Sequence, residues 1–533
     1  MNTLYILLLC LILLSCSVDS EIATTNEDTA VNIAVLTNVT DPDSDSLTAT
    51  QPTSGSVAMN LDGTITSTPN ANTDGVDSFT YDTNDVSATT GKAVSLPLPA
   101  FPGAEGYGAQ SIGGRGGDVI EVRNLNDSGP GSLRAAVEAE GPRIVVFRVG
   151  GTIELLSSIE ITNPYITIAG QTAPGGGIAI RTHPTMDDAP IYVSTQHVII
   201  RYIRARPGPS TELSQNIDAL IIGREAKHII VDHCSFSWST DETISIWYDA
   251  SDITIQWSII SEALLNSTHN AGPQGYGVLI GDQSTRISFH HNLLAHNHGR
   301  NPRATNGDID LVNNVIYNPG STPSRLFGDA INGNVASDRF NYVGNYIKPG
   351  PDSTFDYEVK LESNDGSAFS TFLANNIGPN RPDETVPDQE IVHPDGRGFI
   401  VDTRFDAPFV TTYTALDAYD HVLASAGATL PLRDPVDERI INEVVSSSGK
   451  IIDDPSEVGG WPYLDSGIPS ADSDHDGMPD TWENLYGFNP YDPTDGPKDA
   501  NADGYTNIEE FLNGTSPNSE GNRTFVPILL GKS

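Results

Sequence analysis

Short runs of alternating apolar and polar residues recur through the middle of the chain, and their spacing predicts the fold. Their first residues are numbered 229, 253, 287, 309 and 340, so successive runs are separated by 24, 34, 22 and 31 residues. The aligned runs are Ile229–Cys234, Ile253–Ser258, Ile287–Asn292, Ile309–Asn314 and Phe340–Asn345. Each run has the length of one strand and lacks a helical period. A strand that repeats at irregular intervals indicates a solenoid whose coils differ in their loops.

The last position of the aligned runs forms a polar column. It holds Cys234, Ser258, Asn292, Asn314 and Asn345. Stacked Asn side chains can hydrogen-bond to one another along such a column at a tight bend. The pattern therefore predicts an all-β fold whose main domain, residues 101–432, is a right-handed parallel β-helix. A sandwich or a propeller would not need this column.

The residues before the repeats have the pattern of a second, smaller domain. Residues 21–95 are rich in Thr, Asp, Asn and Val and contain short alternating runs, which predict a small β-sandwich. The stretch NEDTAVNIAVLTNVTDPDSDSLT resembles the cadherin-like modules of bacterial surface proteins, and the resemblance implies adhesion or spacing. The Leu-Pro-Leu-Pro sequence at residues 96–99 predicts a linker.

The chain begins with an apolar segment, residues 1–16, that is too short to span a bilayer comfortably and has the position of a secretory signal. The sequence LLSC at residues 13–16 resembles a lipobox, which implies lipidation of Cys16, with ordinary signal cleavage as the alternative. We therefore expect a secreted or cell-surface protein, in the form of a bacterial outer-membrane lipoprotein. Loss of Cys10 with the signal would leave Cys234 as the ordinary thiol, so no disulfide framework is expected.

The C-terminal part of the chain contains two acidic loops with the spacing of EF-hand calcium sites. Residues 433–470 are expected to be a linker, residues 471–515 hold the loops, and residues 516–533 form a tail. Each loop spans twelve residues, with Gly at the sharp turn and Glu at the last ligand position. The predicted ligands are Asp472, Asp474, Asp476, Asp480 and Glu483 in the first loop and Asp499, Asn501, Asp503, Asn507 and Glu510 in the second.

The segments MPDTWENLYGFNP and YTNIEEFLNG, which flank these loops, resemble the dockerin-like calcium tails of secreted bacterial enzymes. We therefore expect structural Ca²⁺ in both loops. The alternative interpretation is an acidic, solvated linker.

The net charge limits the possible partners. The chain has 28 Lys and Arg against 70 Asp and Glu, a formal charge of −42, which makes nucleic acid or an anionic membrane an improbable partner. A polyanionic substrate would require placed Arg or Lys side chains or bound Ca²⁺ to overcome the repulsion. A monomer is the expected state.

The strand register predicts where acidic side chains meet. Counting back 13 residues from Val231 and from Ile255 gives Asp218 and Glu242, which should stack in adjacent coils. Coils separated by about 4.8 Å would allow the two carboxylates to share one Ca²⁺. Asp241 is the neighbouring alternative.

The same count places two basic residues on this flank. Counting back 13 and 11 residues from Leu311 gives His298 and Arg300, about two coils further along. A basic side chain and a cation site would then face one groove. Removing the C5 proton of a uronate builds charge beside an existing carboxylate, so this combination suits an acidic polysaccharide.

Several spaced motifs resemble the pectate lyases of polysaccharide lyase family 1. They are FPGAEGYGAQSIGGRGG, HVIIRYIRARPG, VDHCSFSWSTDE and HHNLLAHNHGRNPR, and with the Asn-bearing coils they cover most of residues 101–350. The resemblance implies cleavage of α-1,4-linked polygalacturonate, the acidic polysaccharide of plant pectin, by calcium-assisted β-elimination. The products would be 4,5-unsaturated oligogalacturonides.

The resemblance also implies residue roles. Arg300 corresponds to the catalytic base and Arg303 to a grip on a substrate carboxylate, while Asp218 and the Asp241/Glu242 pair correspond to calcium ligands. From the residues alone, Arg300 is a carboxylate clamp, because a guanidinium normally keeps its proton.

The sequence also departs from the family pattern. Asn216 and Ser245 stand where the family often has further carboxylates, so the catalytic calcium site is expected to be incomplete. A substrate-binding Lys is not evident, and His269, together with His298, is assigned to substrate binding in its place.

Two other functions remain open at this point. One is a lyase for methylated pectin or another uronate polymer; methyl-ester substrates need no calcium, and Asp218 with Glu242 argues against that version. The other is a non-catalytic β-helix that binds glycans at the cell surface, against which the Arg300 and Arg303 pair weighs.

Overall fold

The computed structural model describes residues 98–518, apart from 215–216, 282, 306, 329–337 and 364–368, together with seven strands before residue 84. The chain divides into two compact units, Met1–Leu96 and Pro97–Ser533. Within the described residues, no helix is both long and apolar enough to cross a membrane.

The N-terminal unit contains two small sheets. One has four strands in the order Glu21–Asn26, Thr3–Cys10, Gly75–Thr83 and Leu47–Ala49, and the other has three in the order Val31–Ala34, Thr64–Pro69 and Gly55–Met59. The predicted signal overlaps the strand Thr3–Cys10, and its processing stays a prediction. Cys16 lies outside the described residues, as do residues 519–533 of the predicted tail.

The second unit is a parallel β-helix built from three long sheets. The chain runs from the first sheet to the second and the third, then returns to the first sheet one coil further on. The first sheet contains Asp118–Val122, Arg143–Phe147, Ile166–Ala169, Gln196–Arg201, Lys227–Asp232, Ser251–Gln256, Thr285–His290, Asp308–Val312, Asp338–Val343, Phe369–Ala374 and Ile400–Val401. The second contains Gly151–Leu155, Ile178–Thr182, Arg204–Ala205, Ser235–Ser237, Ile259–Ser261, Leu293–Ala295, Val315–Tyr317 and Tyr346–Lys348. The third contains Ile159–Ile161, Ile191–Val193, Leu220–Ile222, Glu242–Ile246, Tyr276–Ile280, Arg303–Thr305, Ser324–Gly328 and Val359–Ser363.

The strand alignment derived from the sequence is confirmed. Val231 pairs with Ile255, and the same column continues through Phe289, Leu311 and Tyr342. All five side chains are buried, so the column forms part of the apolar interior. Each such side chain contributes about 1.5–3 kcal/mol when it leaves water, which makes the interior the main source of stability.

The predicted polar column forms a hydrogen-bonded ladder at the bend after the first sheet. The Ser258 amide donates to Asn292 Oδ1 at 2.9 Å, and the Asn292 amide donates to Asn314 Oδ1 at 3.1 Å. The Asn314 amide donates to Asn345 Oδ1 at 2.9 Å, and the Asn345 amide donates to Asn376 Oδ1 at 2.9 Å. Asn376 extends the ladder one coil beyond the aligned runs.

An aromatic stack accompanies the ladder. Tyr202, His233, Trp257 and His291 occupy one column, with ring centroids 5.1, 6.0 and 4.3 Å apart. All four residues have positive φ, between 49° and 55°. Stacking these rings offsets the cost of the left-handed backbone, which gives the rings a structural role.

Helices cover parts of the solenoid. The α-helices are Leu133–Glu138, Ala415–Ser425, Pro435–Ser446, Asp480–Tyr486 and Asn507–Asn513, and the 3₁₀ helices are Gly170–Thr172, Asp388–Ile391, Pro394–Phe399 and Pro455–Val458. Leu133 and Val137 join the apolar interior, and Val422 and Ile440 pack on the second sheet in a cluster with Val315.

The structure corrects two predicted boundaries. The last solenoid strand is Ile400–Val401, so the strands end before residue 432. The segment 433–470, expected to be a linker, contains the helix Pro435–Ser446, which is held to the solenoid by buried charge. Arg206 Nη2 donates to Asp434 Oδ1 at 3.1 Å and to Asp437 Oδ1 at 2.8 Å.

Candidate active site

Three carboxylates meet at the start of the third sheet, as the register predicted. Asp218 precedes the strand Leu220–Ile222, and Glu242 begins the next strand, where Ile244 pairs with Leu220. One carboxylate oxygen from each of Asp218, Asp241 and Glu242 lies within 4.8 Å of the others. The shared 24-residue step between the two coils is what brings Asp218 and Glu242 together.

The cluster holds negative charge that the protein does not fully compensate. Burial raises the pKa of Asp218 well above its ordinary value, and the Asp241 carboxylate raises it further. Burial also raises the pKa of Asp241. Asp218 Oδ1 is buried and has no hydrogen-bond partner. An unpaired buried carboxylate oxygen beside two further carboxylates fits a divalent cation such as Ca²⁺, which prefers oxygen ligands.

Arg300 lies against this cluster. Its Nη1 forms an ion pair with Glu242 Oε1, and its guanidinium lies 3.9 Å from the centre of the Tyr276 ring. Burial, with a smaller contribution from the Arg303 charge, lowers the pKa of Arg300 to about 10. The side chain is 21 % exposed, so its end remains accessible from the groove.

Arg303 begins a cationic row along the outside of the third sheet. Arg303 pairs with Arg325 in the next coil, and Arg325 pairs with Lys360 in the coil after it. The guanidinium carbons of Arg303 and Arg325 lie 4.9 and 5.1 Å from the centre of the Phe327 ring. Parallel strands are about 4.8 Å apart, so the cationic row (Arg303, Arg325 and Lys360) offers regularly spaced positive charges.

Arg325 and Lys360 were missed by the sequence analysis. A signal was present, because counting on from Leu311 to Tyr342 gives the same coil step that brings Arg303 near residue 325. Loops of different length on either side hid it.

The two candidate histidines differ in their positions. His269 Nε2 lies 3.7 Å from Asp241 Oδ2, so this ring borders the carboxylate cluster. His298 is packed near Gly320, where an added Cβ would lie 2.5 Å from His298 Nδ1. Ser245 is buried on the third sheet, and Asn216 lies outside the described residues.

The two C-terminal loops have the turn geometry of the predicted calcium sites. Gly477 and Gly504 have φ of +91° and +99°, as the sharp turn requires. In the first loop, two triads of carboxylate oxygens lie within 4.8 Å, Asp472 with Asp474 and Asp476, and Asp476 with Glu483 and Asp495.

In the second loop, the Gly504 amide donates to Asp499 Oδ2 at 2.8 Å, the Asp503 amide donates to Asn501 Oδ1 at 3.1 Å, and Asn501 Nδ2 donates to Glu510 Oε1 at 3.3 Å. These contacts draw the predicted ligands together around the turn.

The chain is similar to characterised families over both of its units. The model of the cadherin-like domain matches residues 15–98. A probable pectate lyase C from Aspergillus flavus is 38% identical over 432 residues, which cover 79% of this chain and 95% of that protein. The probable pectate lyase 13 of Arabidopsis thaliana is 28% identical over 50% of this chain and 52% of that protein.

Solved structures share sequence at a lower level. The cedar pollen allergen jun a 1 is 17% identical with a TM-score of 0.44, covering 61% of this chain and 92% of its own. The pectate lyase Bsp165PelA from Bacillus sp. N165, in complex with trigalacturonate, is 17% identical with a TM-score of 0.41, covering 61% of this chain and 98% of its own.

Proposed function

The chain belongs to the pectate lyase family and is a polysaccharide lyase, and from this premise we propose that it cleaves α-1,4-linked polygalacturonate by calcium-assisted β-elimination. The observation that carries the proposal is the meeting of Arg300 with three carboxylates at the head of the cationic row. The products are 4,5-unsaturated oligogalacturonides.

The cationic row supports an acidic polymer as substrate. A polygalacturonate chain has a carboxylate on every sugar, and this protein carries a net charge of −42. Local cations must therefore hold the substrate against a general repulsion. Arg303, Arg325 and Lys360 supply them on three successive coils.

The carboxylate cluster supports a calcium requirement. Asp218, Asp241 and Glu242 would hold the ion. Bound Ca²⁺ supplies positive charge beside the uronate carboxylate, where negative charge develops as the C5 proton leaves. Glu242 serves both the ion and Arg300, so it also orients the guanidinium.

Arg300 is the group we assign to the proton transfer. In the elimination the C5–H bond breaks, the C4–O4 bond breaks, a C4=C5 double bond forms, and O4 leaves with a proton. Arg300 takes the C5 proton, and its partly buried position beside Arg303 favours the neutral form needed for this role. Its contact with the Tyr276 ring holds it in place.

The decisive assay follows the ultraviolet absorbance of the unsaturated uronide with polygalacturonate as substrate. We expect activity in the wild type, a loss of at least about 100-fold in Arg300→Lys, and little change in Arg286→Lys. Arg286 is the matched control, because it has φ of 55° against 56° for Arg300 and lies on the first sheet. Absence of the absorbance with every uronate polymer would refute the lyase function and favour a glycan-binding role.

Calcium dependence needs its own controls. A chelator should abolish activity, and Asp218→Asn should weaken it at limiting calcium. Because a chelator also reaches the C-terminal loops, Asp476→Ala and Glu510→Ala separate the two effects. Activity that survives the chelator, or that is higher on methylated pectin, would overturn the calcium role.

We also propose that the two C-terminal loops bind structural Ca²⁺. The positive φ of Gly477 and Gly504 and the close approach of carboxylates in the first loop support this. Calcium-dependent hydrogen exchange of peptides 472–483 and 499–510 tests it without reference to activity.

A further inference from the structure

The first C-terminal loop contains buried carboxylate oxygens that lack partners. Glu483 is fully buried, and neither Oε1 nor Oε2 has a hydrogen-bond partner. Asp476 Oδ2 and Asp495 Oδ1 are also buried without partners, in residues that are 4% and 7% exposed. The three side chains converge to within 4.8 Å, so their oxygens point at a common position. Burying several carboxylates without partners is costly unless a cation joins them.

Asp495 is not part of the twelve-residue motif, whereas Asp480, at its ninth position, is occupied elsewhere. Asp480 Oδ1 accepts from the Ser473 amide at 2.7 Å, and Oδ2 accepts from Ser473 Oγ at 2.8 Å. The second loop repeats this arrangement, since Asn507 Oδ1 accepts from the Ala500 amide at 3.2 Å. In both loops the ninth residue therefore closes the loop backbone.

The backbone beside Asp495 is built for close approach to the first loop. A Cβ on Gly496 would lie 2.7 Å from Asp476 Oδ2, so only glycine allows this separation. Asn507 Nδ2 donates to the Asp495 carbonyl at 2.8 Å, and the Ile508 amide donates to the Gly496 carbonyl at 3.1 Å. Asp495 is thus fixed from the second loop while its side chain enters the first.

We propose that Asp495 completes the cation site of the first loop in place of Asp480, with Asp472, Asp474, Asp476 and Glu483 as the other ligands. The inference rests on the calcium binding proposed for this loop. Carboxylate oxygens in this number select Ca²⁺.

The proposed site links the two loops and fastens both to the solenoid. Arg148 Nη1 lies 3.6 Å from Asp472 Oδ2, and Met478 and Trp482 pack with Ile144 and Val146 of the first sheet. An ion that ties Asp495 to the first loop therefore also orders the segment that carries the second helix. Removing the ion should loosen residues 489–498 along with the loop.

Hydrogen exchange on the full chain tests the proposal, with Ca²⁺ as the titrant. In the wild type, peptides 472–483 and 489–498 should gain protection together. Asp495→Asn should raise the calcium concentration at half-protection of 472–483 by about tenfold or more, because a charged ligand is lost. Asp480→Asn is the matched control and should stay within about threefold, since its Oδ1 can still accept from Ser473.

The outcomes distinguish the two levels of the claim. If wild-type 472–483 gains no protection with Ca²⁺, calcium binding by this loop is refuted. If the loop binds but Asp495→Asn titrates like the wild type, or Asp480→Asn shifts as much as Asp495→Asn, the role of Asp495 is refuted. Unchanged exchange in the solenoid peptides shows that a variant is folded. Gly496→Ala, whose Cβ would displace Asp476, should reproduce the shift where Asp495→Asn does not fold.

Discussion

The Asn ladder should contribute several kcal/mol to stability, and Asn314→Ala measures this contribution. Asn314 Oδ1 accepts from the Asn292 amide at 3.1 Å, and Asn314 Nδ2 donates to the Phe289 carbonyl at 2.8 Å. Truncation leaves both buried backbone groups without these partners. Each buried group left unsatisfied costs about 1–3 kcal/mol, so the free energy of unfolding should fall by about 2–6 kcal/mol. Asn345 Oδ1 keeps its bond to the Asn314 amide and adds little.

Equilibrium urea denaturation at fixed calcium, followed by far-ultraviolet circular dichroism, measures the loss. Asn314→Ser should recover part of it, because Ser258 fills the same column and its hydroxyl accepts from the Cys234 amide at 3.1 Å. The exposed Asn126 is the control, and Asn126→Ala should change the free energy of unfolding by less than about 0.5 kcal/mol. If Asn314→Ala is no less stable than Asn126→Ala, the ladder does not stabilise the fold.

Three further predictions concern charge and reactivity. Arg325→Ala should raise the KM for polygalacturonate several-fold with a smaller effect on kcat, whereas Arg339→Ala, equally exposed on the first sheet (42% against 40%), should change neither; equal effects would contradict the cationic row. Burial lowers the pKa of His290 to about 4, so only the unfolded chain takes up this proton between pH 6.5 and 4. Stability is therefore complete above pH 6.5 and falls by about 3 kcal/mol towards pH 4. His290→Gln, which matches its column neighbour Gln256, should reduce the loss measured by urea denaturation at both pH values, and an unchanged loss would refute the assignment. Burial raises the pKa of Cys234 to about 12, so Ellman's reagent should label it only in the unfolded protein, and labelling of the native protein would contradict this.

The solenoid was predictable from the sequence because its information is local and periodic. The column from Ser258 to Asn345 is written in the strands themselves, and loop length does not disturb it. Asp218 and Glu242 were also found by counting, since both lie the same distance before aligned strands. The same periodic reasoning failed at the end of the solenoid, because the apolar side chains of Ala415–Ser425 and Pro435–Ser446 are buried by packing on the outside.

Other site residues depend on contacts that spacing does not encode. Arg325 and Lys360 join Arg303 only after loops of unequal length have been closed. Asp495 lies beyond the twelve-residue motif and reaches the first loop through the close approach at Gly496. Asp480 fits the motif but bonds to Ser473, a competition between backbone and metal that a pattern does not reveal.

The docking of the C-terminal loops on the first coils sets an order of events during synthesis. Ile144 and Val146 are covered by Met478 and Trp482, and Met478 follows Val146 by 332 residues. While the chain emerges from its N-terminus, this apolar surface therefore stays uncovered until nearly all of the protein has been made. A nascent or C-terminally truncated chain would present a sticky patch on its first coils, so completion of the last loops also acts as a quality check on the whole domain.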